Sequence, residues 1–189
     1  MKKSIFKTEE GNFEKQASRA DLVRLAAQAI LLHINGIDIN WVSISIEDGG
    51  HLCSSPLTSD EDEIDEVWIN GTFFLGYSIA VMYDQNQSIN PRDWYENALS
   101  KLGTDYYDWD GGRQLLREFR GRNFRLQEER YGYELFEQIY HEVYRVIEKP
   151  AFWDAIEGII KELEASRFLK GEEIHDYLRN NLPISALAD

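Results

Sequence analysis

Cysteine, proline and positive charge are all scarce in this chain. Cys53 is the single cysteine. A lone cysteine excludes an internal disulfide and a thiolate zinc site built within one chain, and it fits a reducing, cytoplasmic compartment. Four prolines and 13 glycines among 189 residues are too few for a disordered or repeat-like chain. Acidic residues outnumber basic ones by 34 to 20, a formal net charge of −14. A surface this acidic lacks the cationic stripe that grips phosphates, so direct nucleic-acid binding is not expected. Long apolar runs are missing too. Residues 1–17 carry charges throughout and have no leader-like apolar core. The most apolar stretch, Val67–Tyr83, is broken by Asn70, Gly71, Thr72, Gly76 and Ser78, so it reads as a buried helix and not a membrane span.

What is present is a core. Hydrophobic residues make up 43% of the chain, including ten Tyr, nine Phe and five Trp. That supplies one domain of this length without staples. The expected division is a tail over 1–17, a single helical domain over 18–182 and a C-terminal tail over 183–189. Ser18-Arg19-Ala20-Asp21 fits a capping box. Leu22, Leu25, Ala26, Ala29 and Ile30 then follow helical spacing, which predicts an amphipathic helix over 19–34 with Asn35-Gly36 as its stop. Trp41–Ile46 alternates as a strand, Asp48-Gly49-Gly50 is a turn, and His51–Leu57 is a short return strand. The acidic run Asp60–Glu66 leads into a helix over 64–83. Asn90-Pro91 marks an N-cap and first helical position, opening a helix to 102. Further helices are predicted over 113–120, over 124–148 with a break at Gly132, from Pro150 through Leu163, and from Gly171 to Asn180. The fold class is mainly α with one small β-hairpin or sheet element.

Residues 24–44, from Arg24-Leu25-Ala26-Ala27-Gln28 through Gly36-Ile37 to Val42-Ser43-Ile44, resemble a segment of the FtsH-type zinc metallopeptidases. In that family a helix carrying HExxH is followed by a Gly-Ile corner and a strand. Trp153-Asp154-Ala155-Ile156-Glu157 and Leu169-Lys170-Gly171-Glu172-Glu173-Ile174 resemble the family's closing helices, and the likeness spans 18–180. It covers neither the membrane anchor nor the ATPase module of those enzymes. Laid on the motif without a gap, the first metal His falls on Arg24, the catalytic Glu on Leu25 and the second His on Gln28. HExxH works because two neutral imidazoles one turn apart grip Zn²⁺ while the Glu activates the bound water. Arg is a permanent cation, Leu accepts no proton and Gln is a poor zinc ligand. The resemblance therefore implies a retained scaffold with no metal, no cofactor and no catalytic residue: a pseudopeptidase that acts through an unknown protein partner and self-associates as its family does.

Two other functions fit the composition. One is an acidic inhibitor or nucleic-acid mimic that blocks a basic surface. The other is a hydrolase whose site escapes motif reading. Among local candidates, Asp105-Tyr106-Tyr107-Asp108-Trp109-Asp110 is an interaction-loop candidate, or a structural loop with Trp109 packed inward. By the resemblance, Asp108 stands where the family's acidic metal ligand would come. Set as a calcium loop the segment fails, because Tyr106 and Arg117 occupy the first and last ligand positions. Arg113, Arg117 and Arg120 share a helix face and either contact an anion or pair with the acidic run, within the chain or in a neighbouring subunit. His141-Glu142 is not a zinc motif, since Arg145 stands four residues on. His33, His51 and His175 are scattered, and a Cys53–His51 pair rests on nearness in sequence alone.

Overall fold

A computed structural model describes residues 17–44, 50–55, 63–87, 90–93 and 129–183. Within them the chain forms α1 (Arg19–Ile34), β1 (Ile39–Ser43), β2 (His51–Ser54), α2 (Glu63–Asp84), α3 (Glu129–Ile147), α4 (Pro150–Ser166), β3 (Phe168–Lys170) and α5 (Gly171–Asn181). The fold is mainly α with a small antiparallel sheet, as the patterning predicts.

The start of α1 follows from its capping box. Ser18 Oγ accepts the Asp21 N–H at 3.1 Å, and the Asp21 carboxylate accepts the Ser18 N–H at 3.3 Å. Two of the helix's orphan donors are thereby satisfied. The end is set by Asn35, whose side-chain amide donates to the Leu31 carbonyl at 2.8 Å, and by Gly36 at φ +70°, a conformation that glycine adopts without strain. Between these ends the helix is not amphipathic as expected. Leu22, Val23, Leu25, Ala26, Ala27, Ala29, Ile30, Leu31 and Leu32 are all buried, so apolar contacts surround it almost completely. The reason is its place at the centre of the molecule, against α2, α4, α5 and the sheet. Its three buried alanines keep the cylinder thin, and Leu31 seats against Gly76 of α2, where a Cβ would overlap the leucine.

Glu63–Asp84 forms the apolar helix expected near Ile64–Tyr83, and no helix among the described residues is long and apolar enough to cross a membrane. Its last turn packs in an aromatic seam. Tyr83 stacks on Trp153 of α4 at 5.4 Å and meets Tyr144 of α3 edge-on at 6.1 Å, while Tyr144 stacks on Tyr140. Burial pushes the Tyr140 phenol up to about 12. Trp153 Nε1 donates to the Ile147 carbonyl at 2.8 Å, tying the end of α3 to the helix that Pro150 opens. The helix α3 runs through Gly132 without the expected break. Asn90 caps as predicted: its Oδ1 accepts the Arg92 N–H at 2.9 Å, and Pro91–Asp93 are helical. The rest of the helix predicted to 102, the helix over 113–120 and both predicted tails except for Ala17 and Pro183 lie outside the described residues.

At the surface, Arg19 joins three helices. Its guanidinium bonds Asp84 of α2 at 2.9 Å and Glu157 of α4 at 3.0 Å, and holds the Glu157 carboxyl below its ordinary range. Arg19 is 44% exposed and Glu157 56%, and pairs this wet are worth about 0.2–1 kcal/mol, so the triad sets register more than it adds stability.

The sheet order is β2-β1-β3, both pairs antiparallel. Val42 faces Leu52 and Leu169 on the inner side, while Trp41 and Ser43 face Cys53, His51, Lys170 and Phe168 on the outer. β1 starts two residues before the predicted Trp41–Ile46 strand and runs to Ser43; residues 45 and 46 of that prediction lie outside the described residues. β3 is absent from the sequence-based reading. It forms because Arg167 takes a left-handed φ of +61° as the C-cap of α4, which turns the chain back, and its carbonyl accepts the Ile44 N–H at 3.0 Å. Gly171 then opens α5 directly over β1, where a Cβ would overlap the Ile39 carbonyl. Replacing Gly171 by Ala is therefore expected to destabilise the protein by about 1–3 kcal/mol, although alanine is the better helix former. Urea denaturation with an unchanged m-value reads this directly, and a neutral or stabilised variant would contradict the packing.

Candidate functional site

Positions 24 and 28 lie one turn apart on α1, and their side chains meet. Arg24 Nη1 donates to Gln28 Oε1 at 3.3 Å, and Arg24 Nη2 donates to the Gly50 carbonyl at 3.1 Å. Gly50 is held at φ +106° against the end of β1, where a Cβ would overlap the Ser43 carbonyl and touch Leu25. That conformation is why its carbonyl can sit beside the helix. Leu25 is fully buried. The helix thus offers at this place a guanidinium and an amide that bond each other and an aliphatic core residue. Five N–H donors and no lone pair make the guanidinium a contact for acceptors and anions, not for metals. No group of three or more His, Cys, Asp or Glu fit to hold a metal occurs among the described residues.

A second polar cluster appears where sequence reading found only scattered histidines. His33, at the end of α1, and His175, in α5, meet with Nδ1 to Nδ1 at 2.8 Å. The Ile39 N–H of β1 donates to His175 Nε2 at 3.1 Å. This second bond fixes the protons. His175 Nε2 is an acceptor, so the proton of its neutral ring sits on Nδ1 and is donated to His33 Nδ1. His33 in turn carries its proton on Nε2. A metal at His175 Nδ1 would need that ring's proton moved to Nε2, which breaks the bond from the Ile39 N–H, so the arrangement present is that of a hydrogen-bonded pair. Burial first, then His175 and Arg179, hold the His33 imidazole below its ordinary range. The two residues are 142 positions apart, and nothing in their local spacing announces the meeting.

The outer face of the sheet carries Trp41 and Phe168, stacked at 6.2 Å, with Phe168 47% exposed. His51 and Cys53 alternate along β2 and so share this face. Cys53 is half-buried, and its Sγ accepts from the Asn40 side-chain amide at 3.6 Å. Beside Phe168 an open groove of about 340 Å³ runs between α4, β3 and α5, with Ile159, Ile174 and Tyr177 in its lining and the exposed carboxylates of Glu162 and Glu173. The backbone of β3 is covered locally. The Phe168 carbonyl accepts from Ser166 Oγ at 2.8 Å, and the Lys170 N–H donates to Glu173 Oε2 at 2.8 Å. These bonds blunt the strand against pairing with another chain.

The loop candidates Asp105, Tyr106, Tyr107, Asp108, Trp109 and Asp110, and the cations Arg113, Arg117 and Arg120, lie outside the described residues, as do the side chains of the acidic run. His141 is exposed on α3, and its neighbour Glu142 pairs with Arg145 at 3.4 Å, in keeping with a solvated helix face.

Leu25→Ala should cost about 2–5 kcal/mol, as a core truncation does. Arg24→Ala should cost about 1–2 kcal/mol through two lost hydrogen bonds. Chemical denaturation of the two variants checks the order, and equal effects would mean that position 25 is not the core residue described.

Compared with protein-family models and with curated proteins, the sequence matches none.

Proposed function

We propose that the chain is a non-catalytic protein with an FtsH-peptidase-like scaffold that works by binding other proteins. One observation supports this reading above the others. At the positions where the resemblance places two metal ligands and a general base, Arg24 is bonded to Gln28 and to the Gly50 carbonyl, and Leu25 is fully buried. A general base must reach a metal-bound water, and a buried leucine neither reaches nor accepts a proton. The same three side chains serve packing and hydrogen bonding, so the helix has a structural use in this chain that needs no metal. The apolar groove beside Phe168, rimmed by carboxylates, gives such a protein a surface to bind with. On this reading it is a cytoplasmic protein that self-associates.

Protein purified without chelators or added metal should contain far less than one zinc per chain by elemental analysis. It should also show no casein-cleaving activity that chelation removes. Stoichiometric zinc, or chelator-sensitive cleavage, would overturn the proposal.

The net charge of −14 favours one second reading, an acidic protein that occupies a basic partner surface. On that reading, capture of a basic nuclease or DNA-binding protein weakens steeply with salt, whereas binding through the apolar groove does not.

A further inference from the structure

The histidine pair joins three elements through two hydrogen bonds, and both bonds depend on one protonation state. His175 sits on α5, one residue after Ile174 and three before Leu178, the two side chains that anchor that helix in the core. Its ring reaches back to His33 on α1 and to the Ile39 N–H on β1. The neutral pair has one proton between the two Nδ1 atoms and none on His175 Nε2. A further proton has two places to go. On His33 Nδ1 it sets two N–H groups against each other across 2.8 Å. On His175 Nε2 it meets the Ile39 N–H across 3.1 Å. Either way a bond becomes a repulsion between donors.

The surroundings reinforce this. On α5, Arg179 adds positive charge to the field at His33, and it is itself paired with Asp176. Glu172 and Glu173 are exposed at the start of α5, and the Glu173 carboxylate accepts the Lys170 N–H. The last turns of α1, from Ala29 to Ile34, bring no charge besides His33, and the segment leading into β1 brings only the exposed Asp38. No carboxylate is hydrogen-bonded to either ring among the described residues.

We infer that His33 and His175 form a proton-operated latch, which clasps α5 to α1 and β1 at neutral pH and releases it in mild acid. The direction follows from His33. In a released state its ring takes up a proton near the ordinary value of 6.5, and in the latched state only at lower pH. The latched state therefore keeps its full advantage above about 6.5 and loses it as pH falls from there toward the lowered value. One proton taken up on release shifts the equilibrium by up to about tenfold per pH unit within that window. Release uncovers Ile174 and Leu178 and widens the groove that α5 walls, so acid exposes apolar surface.

Hydrogen exchange of the full chain tests the latch, comparing α5 with α4 between about pH 7.5 and about pH 5.5 after correction for intrinsic rates. Protection of Gly171–Asn181 should fall with acid while that of Pro150–Ser166 holds, and fluorescence of added anilinonaphthalene sulfonate should rise over the same range. His175→Gln, whose amide oxygen can still accept the Ile39 N–H but does not titrate, should flatten the dependence. His33→Gln supplies a second reading if His175→Gln does not fold, and should shrink the dependence. Unchanged α5 protection across the range would overturn the inference. So would wild-type pH dependence in the His33→Gln variant, which would assign the acid response to carboxylates elsewhere.

Discussion

Burial of α1 on almost every side is the constraint from which the rest follows. A helix at the centre of a small domain has no solvent face on which to place polar residues, so nearly every position must be apolar or small. Ala26, Ala27 and Ala29 meet that demand by letting neighbours come close, and Leu31 against Gly76 shows how close α2 comes. Two polar side chains escape the rule near the middle of the helix, Arg24 and Gln28, and they do so by bonding each other and the one carbonyl that a left-handed glycine turns toward them. Long side chains can keep a polar head at the edge of a core while their stems pack within it. The position between them, Leu25, has no such exit.

This explains why one spacing serves two chemistries. Residues four apart on a helix face the same way, so the geometry that would converge two imidazoles on a metal also converges a guanidinium and an amide. The backbone is indifferent to which pair stands there. What differs is the residue after the first of the pair. A glutamate at position 25 would need water or a metal beside it, since burying an unpartnered carboxylate costs several kcal/mol. The observed leucine is instead among the largest fully buried side chains. A buried leucine and a glutamate that activates water are therefore alternatives at that position, and Leu25 is packed in the core.

Much of the fold was legible because helix ends are written locally. Ser18 with Asp21, Asn35 with Gly36, and Asn90 with Pro91 each stand where the chain caps or stops. The misreadings come from contacts distant in sequence and from a turn without its usual residue. Spacing of Leu22, Leu25, Ala26, Ala29 and Ile30 describes one apolar stripe, yet the number of faces that become covered depends on α2, α4 and the sheet arriving from elsewhere. β3 was hidden because the left-handed turn before it is made by Arg167, where glycine would have signalled it. Gly132 suggested a break by propensity alone, which amounts to about 1 kcal/mol and yields to the packing of Phe136, Ile139, Tyr140 and Val143 further along α3. Of the candidate site, the meeting of Arg24 and Gln28 was legible from their spacing of four on a helix, while the histidine pair was not legible at all.

That pair also sits where the physics of the fold leaves room for it. Stability is not spread evenly over these elements. α1, α2, α3 and α4 interlock through broad apolar faces and an aromatic seam. α5 is short and polar by comparison, and it inserts Ile174 and Leu178 with Gly171 pressed on the Ile39 carbonyl. An element with so few buried side chains depends more on each hydrogen bond than its neighbours do. The two bonds made by His175 are thus a larger share of what holds α5 than the same bonds would be in α1. They are also the ones whose donors and acceptors change with a single proton. A helix held mainly by packing would not respond to that proton, and one held by no packing would not stay docked at neutral pH. α5 lies between these limits, which makes it, among the described elements, the one best placed to move while the core around α1 stays intact.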